Sequence, residues 1–349
     1  MFIEQRISIL EDYLNKLHKE GVFPGAVFSL IDSESCYINY LGKAQLVPEE
    51  ILADENTIYD LASLTKVVAT TTAIMMLIER GHFTLDTYVT ELLPDYENPA
   101  ITIRHLLTHT SGHDADIDCS GMDKAQLIKA VYDSKIDPDR FNKRVLYSDI
   151  GYILLGFIID RVTGSFEEFV TENLFKPLDM EETFFNPKDD YKERCAATEI
   201  CAMRKKLIKG LVHDEKCYLL GGVSGHAGLF STAKDLTNFV RMLLNKGEYN
   251  GKIILNSQTI DIMTRCYTDN MGAERGLGWI VMGENNRFCD LASEHSIYHT
   301  GFTGTSMLVD LKAKKGFILL TNRVHPSREN IKLIGIRRNI NNVAFSAIR

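Results

Sequence analysis

Ser63-Leu64-Thr65-Lys66 forms an S-x-x-K sequence at the start of a long apolar stretch. If that stretch is a helix, the hydroxyl of Ser63 and the amine of Lys66 lie one turn apart on the same face. The positive end of the helix dipole and burial would both lower the pKa of the lysine. A neutral amine beside a hydroxyl can remove its proton and make the serine a nucleophile. The alternative is a serine that only caps the helix.

A second S-x-x-K sequence begins at Ser231. It precedes a helical pattern whose first turn carries Lys234 and Asp235, so we expect Ser231 to cap an exposed turn. Chemistry is therefore predicted at Ser63 and not at Ser231.

Tyr147-Ser148-Asp149 precedes another helical pattern. In an extended segment the side chains of Tyr147 and Asp149 project to the same side. A phenol near an ammonium group loses its proton more easily and can then shuttle protons. The alternative is a core tyrosine followed by a helix cap at Ser148 or Asp149.

His299-Thr300-Gly301 ends a strand-like run. Glycine on an edge strand lets a ligand approach the backbone, and the strand offers N–H groups to an oxyanion. His299 and Thr300 can bind a carboxylate or a carbonyl of the substrate. The alternative is a β-bulge marked by Gly301.

The elements that must position these residues are strands at both ends of the chain and helices between them. A helical pattern opens the chain, another closes it at residues 328–348, and residues 82–265 are mostly helical in pattern. Strand-like runs lie at residues 22–31, 36–41, 276–282, 296–302, 306–311 and 316–322.

These patterns predict an α+β fold with one antiparallel sheet built from both chain ends. N- and C-terminal helices flank the sheet, and a large, mostly helical subdomain is inserted. We expect a single domain over residues 1–349, with an α/β subdomain of about residues 1–60 plus 266–349 and a helical subdomain of about 61–265.

Composition and targeting signals narrow the class of protein. The net charge is -8 without a basic stripe, which argues against a nucleic-acid partner. Charged residues interrupt the first 21 residues, which predict an amphipathic helix and not a secretory signal. The longest apolar stretch, residues 67–78, looks too short to span a bilayer. We therefore expect a cytoplasmic protein without a membrane partner.

The three motifs, in this order and on these elements, resemble the serine beta-lactamase and penicillin-binding-protein superfamily. Residues 104–112 (RHLLTHTSG) and 225–229 (GHAGL) are similar to sequences of its class C-like serine hydrolases. The resemblance covers about residues 5–345 and implies the beta-lactamase/transpeptidase-like fold predicted above.

The resemblance also implies roles for the motif residues. Ser63 would be the acylated nucleophile and Lys66 its base partner. Tyr147 would protonate the leaving group and activate the deacylating water. The backbone N–H groups of Ser63 and Phe302 would form the oxyanion hole. Asp149, His299, Thr300 and Gly301 would line the substrate-binding edge.

Two departures from the family pattern bear on the substrate. Asp149 stands where asparagine is frequent, and His299 stands where beta-lactamases usually carry lysine. Both changes weaken attraction for an anionic beta-lactam, so we expect an esterase or D-amino-acid peptidase. The alternatives are a true class C-type beta-lactamase and a non-catalytic penicillin-binding-like sensor or scaffold. Small-molecule esters, D-peptides and beta-lactams are the candidate substrates, and the oligomeric state stays open.

Metal and alpha/beta-hydrolase chemistry are less well supported. The ten histidines include no H-E-x-x-H pattern, and Gly222-Val223-Ser224-Gly225-His226 breaks G-x-S-x-G at its last position. We expect no metal or other cofactor, with structural or pocket-lining roles for the histidines at four positions, His109, His113, His213 and His226.

Overall fold

The computed structural model describes residues 2–349. Fourteen strands lie within them: β1 (Gly25–Asp32), β2 (Cys36–Gln45), β3 (Ile51–Leu52), β4 (Tyr59–Asp60), β5 (Phe184–Phe185), β6 (Ile200–Cys201), β7 (Lys206–Leu207), β8 (Leu229–Ser231), β9 (Glu248–Tyr249), β10 (Lys252–Ile253), β11 (Ile280–Val281), β12 (Ser296–Thr300), β13 (Ser306–Asp310) and β14 (Lys315–Thr321).

The α-helices of the described residues are α1 (Glu4–Lys19), α2 (Thr72–Glu79), α3 (Val89–Leu92), α4 (Ile103–Leu107), α5 (Lys124–Tyr132), α6 (Asp149–Thr163), α7 (Phe166–Val170), α8 (Asp189–Lys192), α9 (Glu215–Leu219), α10 (Ala233–Leu244), α11 (Ser257–Thr264) and α12 (Arg337–Ser346). Shorter 3₁₀ turns span Ala62–Leu64 and Ile334–Ile336, and π-helical turns span Lys66–Thr71 and Thr171–Phe175.

A seven-stranded antiparallel sheet has the order β11-β12-β13-β14-β1-β2-β3. β1 pairs with β2 through a hairpin and with β14 from the far end of the chain, with Ala26 opposite Thr321. Every residue of β1 is buried, because strands flank it on both sides and helices cover both faces. The α+β class and the sheet built from both chain ends are therefore confirmed.

The two faces of the sheet are covered by different parts of the chain. α1 and α12 pack on one face in a cluster that includes Phe28 and Leu30. α10 packs on the other face, where the hydroxyl oxygens of Ser29 and Thr237 lie 2.9 Å apart. The helical insertion thus supplies α10, one of the helices that cover the sheet. The sequence patterns predicted that only the terminal helices cover it.

The buried helical run that begins beside Ser63 forms the centre of the second core. By length and composition, Ala62–Glu79 would be able to cross a membrane, which corrects the expectation drawn from residues 67–78. In this fold 83% of that run is buried inside the protein. Buried core helices of other proteins can have the same length and apolar composition.

Two predicted elements are shorter than expected. The strand predicted at 276–282 is reduced to β11, because Gly276 packs against Met263 and Gly278 has a φ of 81°. The helix predicted at 328–348 begins only at Arg337, and irregular turns and the 3₁₀ turn Ile334–Ile336 precede it.

Candidate active site

Ser63 lies on a tight turn between β4 and the buried helical run. Ala62 has a φ of 46°, a left-handed conformation that costs a non-glycine residue about 1–2 kcal/mol. Asp60 holds this turn, since its Oδ1 accepts the N–H of Ala62 at 2.8 Å. Its Oδ2 accepts the N–H of His213 at 2.7 Å. The turn is therefore braced from two sides while it places Ser63 in the cavity wall.

Lys66 is fully buried behind Ser63. Its ammonium group donates to Ser63 Oγ at 3.1 Å, to Asp149 Oδ1 at 2.7 Å and to the backbone oxygen of His226 at 2.9 Å. Burial lowers the pKa of Lys66, but the interactions with Asp149 and Tyr147 together outweigh burial, and the pKa is raised. The expectation of a neutral Lys66 is therefore wrong. The local motif could not reveal its counter-charge, Asp149, because that residue lies 83 positions away in the sequence.

Tyr147 lies on the extended segment that leads into α6. The centre of its ring is 4.9 Å from Lys66 Nζ and 4.6 Å from the centre of the His109 ring. Nδ1 of His109 accepts the N–H of Ser148 at 3.1 Å. Burial and the charge of Arg275 hold the pKa of His109 well below its usual range. A neutral His109 therefore fixes the backbone beside Tyr147.

Asp149 begins α6, and lysines engage both of its carboxylate oxygens. Lys66 contacts Oδ1 at 2.7 Å, and Nζ of Lys216 lies 3.5 Å from Oδ2. Lys216 also contacts Asp116 at 2.8 Å and Asp214 at 3.4 Å. Burial raises the pKa of Asp149, but the nearby cations outweigh it and the pKa is lowered. The charge that was expected to repel anions is thus compensated within the protein.

His299 and Thr300 form the end of β12 at the cavity, and Gly301 follows them directly. Among the described residues, β11 pairs only with positions 297 and 298 of this strand, which leaves the outer edge of the motif open. Burial and the charges of Arg275 and Lys66 hold the pKa of His299 well below its usual range. His299 is therefore neutral and contributes no charge to anion binding.

Gly301 allows two parts of the backbone to pack closely. An added Cβ would lie 2.4 Å from the backbone oxygen of Leu61, whereas the sequence suggested close approach of a ligand. Oγ1 of Thr305 donates to the same oxygen at 3.0 Å, and Oγ1 of Thr303 donates to the backbone oxygen of Asp60 at 2.7 Å. The third motif is thereby joined to the segment that carries the serine.

Phe302 follows the motif and contributes both its backbone and its ring. Within residues 2–349 its N–H has no hydrogen-bond partner, as an oxyanion donor requires. Its ring is 48% exposed. The ring centre lies 5.6 Å from that of His213 and 4.8 Å from the guanidinium carbon of Arg323. The ring is thus held at the cavity between two polar side chains.

One cavity of about 490 Å³ brings the predicted residues together. Its lining includes Ser63, Tyr147, Asp149, His299, Thr300, Gly301 and Phe302, with Lys66 directly behind the serine. The motifs predicted from the sequence therefore share one site. Ser231 lies apart from it, in β8, and Thr232 is the cap of α10 instead.

The cavity also carries cations that the sequence did not single out. Arg328 is paired with carboxylates, as is Lys216. Arg275, Arg323 and Arg337 also line the cavity, and none of them has a carboxylate within ion-pair distance in the described part of the chain. Burial and the charge of Arg337 lower the pKa of Arg323 to about 10. No local motif marked these arginines, because separate parts of the chain bring them to the site, Arg337 at the start of α12.

One group of side chains has the composition of a metal site. Donor atoms of Asp149, Asp214 and His226 lie within 4.8 Å of one another. Lys66 and Lys216 already provide cationic partners for the two carboxylates, and His226 Nε2 lies 2.7 Å from Asp214 Oδ1. The group fits a network of ion pairs better than a metal centre.

The two remaining histidines of interest have structural partners. Nε2 of His113 lies 2.8 Å from the hydroxyl of Tyr96, and its Nδ1 lies 2.8 Å from that of Ser111. Nε2 of His213 lies 2.9 Å from Glu199. His213 also lines the cavity, where its ring contacts that of Phe302.

Known proteins share this fold and, in part, this sequence. The Beta-lactamase family matches residues 10–340. A putative D-alanyl-D-alanine carboxypeptidase of Escherichia coli K12 is 33% identical over 93% of this chain and 84% of its own. A class C beta-lactamase superposes with a TM-score of 0.80 at 20% identity, covering 99% of this chain and 97% of that one. The hydrolase EstCE1 superposes with a TM-score of 0.77 at 19% identity, covering 98% of this chain and 99% of its own. The chain therefore belongs to the Beta-lactamase family of serine hydrolases.

Proposed function

We propose that this serine hydrolase removes the C-terminal residue from peptides that end in D-amino acids. The observation that carries the proposal is the pair Arg323 and Arg337, two cationic side chains that line the cavity without a carboxylate partner. A peptide with a free terminal carboxylate supplies the missing anion. The name of the Escherichia coli relative supports the same substrate class.

The open edge of β12 suits an extended peptide. His299 and Thr300 pair with β13 on one side, and the N–H of Gly301 donates to the backbone oxygen of Thr305 at 2.8 Å. An added peptide strand would pair on the other side. Nη2 of Arg337 donates to the backbone oxygens of Gly301 and Thr305 at 3.3 and 3.4 Å, and its Nε has no partner. Arg337 therefore lies where a carboxylate at the end of that strand would find a donor.

In acylation, Oγ of Ser63 attacks the carbonyl carbon of the scissile amide. Because Lys66 is already protonated, we assign the proton acceptor to the phenolate of Tyr147, with the Lys66 ammonium group conducting the proton between them. The negative charge on the carbonyl oxygen is stabilised by the N–H groups of Ser63 and Phe302. Tyr147 then returns the proton to the departing amine, which leaves as the free D-amino acid.

In deacylation, the same groups act on water. Tyr147, again as phenolate, accepts a proton from the water molecule that attacks the acyl-enzyme. The ester bond between the acyl group and Ser63 breaks, and the proton passes from Tyr147 to Ser63 Oγ. This sequence restores the enzyme and releases the shortened peptide.

The test compares an N-acylated peptide ending in D-Ala-D-Ala with its C-terminal carboxamide and with p-nitrophenyl acetate. We expect the free acid to be cleaved at least about tenfold faster than the carboxamide, since a charge-assisted hydrogen bond contributes about 1.5–3 kcal/mol. Arg337→Gln should raise KM for the free acid and leave turnover of the acetate nearly unchanged. Ser63→Ala should abolish all three activities and labelling by a fluorophosphonate.

Arg328→Gln is the matched control, because Arg328 lines the same cavity but already pairs with Glu199 and Glu215. Equal losses in Arg328→Gln and Arg337→Gln would contradict the assignment of the carboxylate site. A wild-type enzyme that hydrolyses the acetate but neither peptide would be an esterase. Rapid hydrolysis of nitrocefin would favour a beta-lactamase, and the absence of fluorophosphonate labelling at Ser63 would favour a binding module.

A further inference from the structure

Arg275 is a buried cation beside the proposed catalytic tyrosine. It is 9% exposed, and its Nε and Nη1 have no hydrogen-bond partner among residues 2–349. Its backbone is fixed, since its N–H donates to Oγ1 of Thr268 at 2.8 Å and its carbonyl accepts the N–H of Tyr267 at 2.8 Å. Burying an unpaired guanidinium group is costly. A negative charge that formed beside Arg275 during the reaction would offset part of this cost.

Among the side chains around Arg275, one can carry a negative charge. His109 and His299 face it, and burial together with the charge of Arg275 lowers both of their pKa values. Burial raises the pKa of Tyr152, which keeps that phenol protonated. The remaining acidic neighbour is Tyr147, whose ring centre is 5.6 Å from the guanidinium carbon.

The other cation near Tyr147 is already compensated. Lys66 carries its charge against Asp149 at 2.7 Å. His299, at the position where related beta-lactamases usually carry lysine, is neutral. Arg275 is therefore the cation beside the Tyr147 ring that has no carboxylate partner within the described residues.

We propose that Arg275 is a positioning residue that stabilises the negative charge on the Tyr147 oxygen and thereby keeps it ready to accept the proton of Ser63. The inference rests on the proton-acceptor role given to Tyr147 in the proposed function, but not on the choice of peptide substrate. Arg275 itself exchanges no proton.

The experiment measures kcat/KM for p-nitrophenyl acetate as a function of pH, because this neutral substrate has no carboxylate for an arginine to bind. In Arg275→Gln we expect the acidic limb to move to higher pH by about one unit and the rate at pH 7 to fall about tenfold. Arg275→Lys should retain most of the rate, since it restores the charge. Arg328→Gln, which removes a paired arginine from the same cavity, should leave the profile in place.

A double-mutant cycle separates this role from a structural one. In a Tyr147→Phe background, Arg275→Gln should cost little more, because the charge it stabilises is gone. An unmoved acidic limb, or an equal loss in both backgrounds, would overturn the proposal. A loss confined to KM for the free peptide acid would instead make Arg275 a substrate-binding residue. If acetate hydrolysis survives Ser63→Ala, the proposed function fails first, and that outcome is visible independently of Arg275.

Discussion

Replacing Asp149 with asparagine should change the charge state of Lys66 without removing any reacting atom. Asp149 is the main reason why the pKa of the buried Lys66 is raised despite its burial. Without that charge, burial dominates and the pKa falls. Lys66 then loses its proton within the working pH range, and its ammonium group no longer conducts the proton of Ser63 to Tyr147.

The size of the effect follows from the geometry. For Lys66 Nζ and Asp149 Oδ1 at 2.7 Å, with an effective dielectric constant of about 20, the attraction is about 6 kcal/mol. Loss of about a quarter of this energy changes the protonation equilibrium of Lys66 tenfold. We therefore expect the alkaline limb of kcat/KM to move to lower pH by at least about one unit in Asp149→Asn.

The assay is the pH profile of p-nitrophenyl acetate hydrolysis, with the melting temperature measured by circular dichroism to verify folding. Asp116→Asn is the matched control, because Asp116 contacts Lys216 at 2.8 Å but makes no ion pair with Lys66. Its alkaline limb should stay in place. If both variants keep the wild-type limb, Asp149 does not control the charge of Lys66 and the reasoning is refuted.

Three further predictions concern buried groups around this site and its supporting helices. Burial raises the pKa of Asp235 from 3.8 to about 6, so the wild-type free energy of unfolding falls as pH rises through about 6. Asp235→Asn does not titrate, so urea unfolding should show its free energy of unfolding rising relative to wild type by up to about 3 kcal/mol between pH 4 and 8. A pH-independent difference would contradict this. Gly225→Ala should destabilise the fold by several kcal/mol in the same assay, because its Cβ would lie 2.0 Å from the backbone oxygen of Tyr152; wild-type stability would show that this contact relaxes. His299→Lys adds a buried cation beside Arg275 and should lower the melting temperature, whereas neutral His299→Gln should not, and equal melting temperatures would count against the crowding of positive charge.

Much of the fold could be predicted because its signals are local. The pattern at residues 233–244 coincides with α10, and the hairpin of β1 and β2 follows from two apolar runs around a polar turn. The order of helices and strands along the chain predicted that both chain ends share one sheet, and the structure shows that β1 pairs with β14 there. The helix covering the second face was missed, because an amphipathic pattern indicates that a helix is buried on one side but not which sheet it packs against.

The reactive groups of the site could be identified from local sequence patterns. The spacing of Ser63 and Lys66 on one helical run ensures their contact, and Tyr147 is identified by its motif. The charges of the groups in the site depend on contacts between distant parts of the chain. Lys66 is a cation because the fold places Asp149 beside it, and His299 is neutral because it is buried near the cations Arg275 and Lys66. Such interactions depend on distance and on exclusion of water, and neither is a local property of the chain.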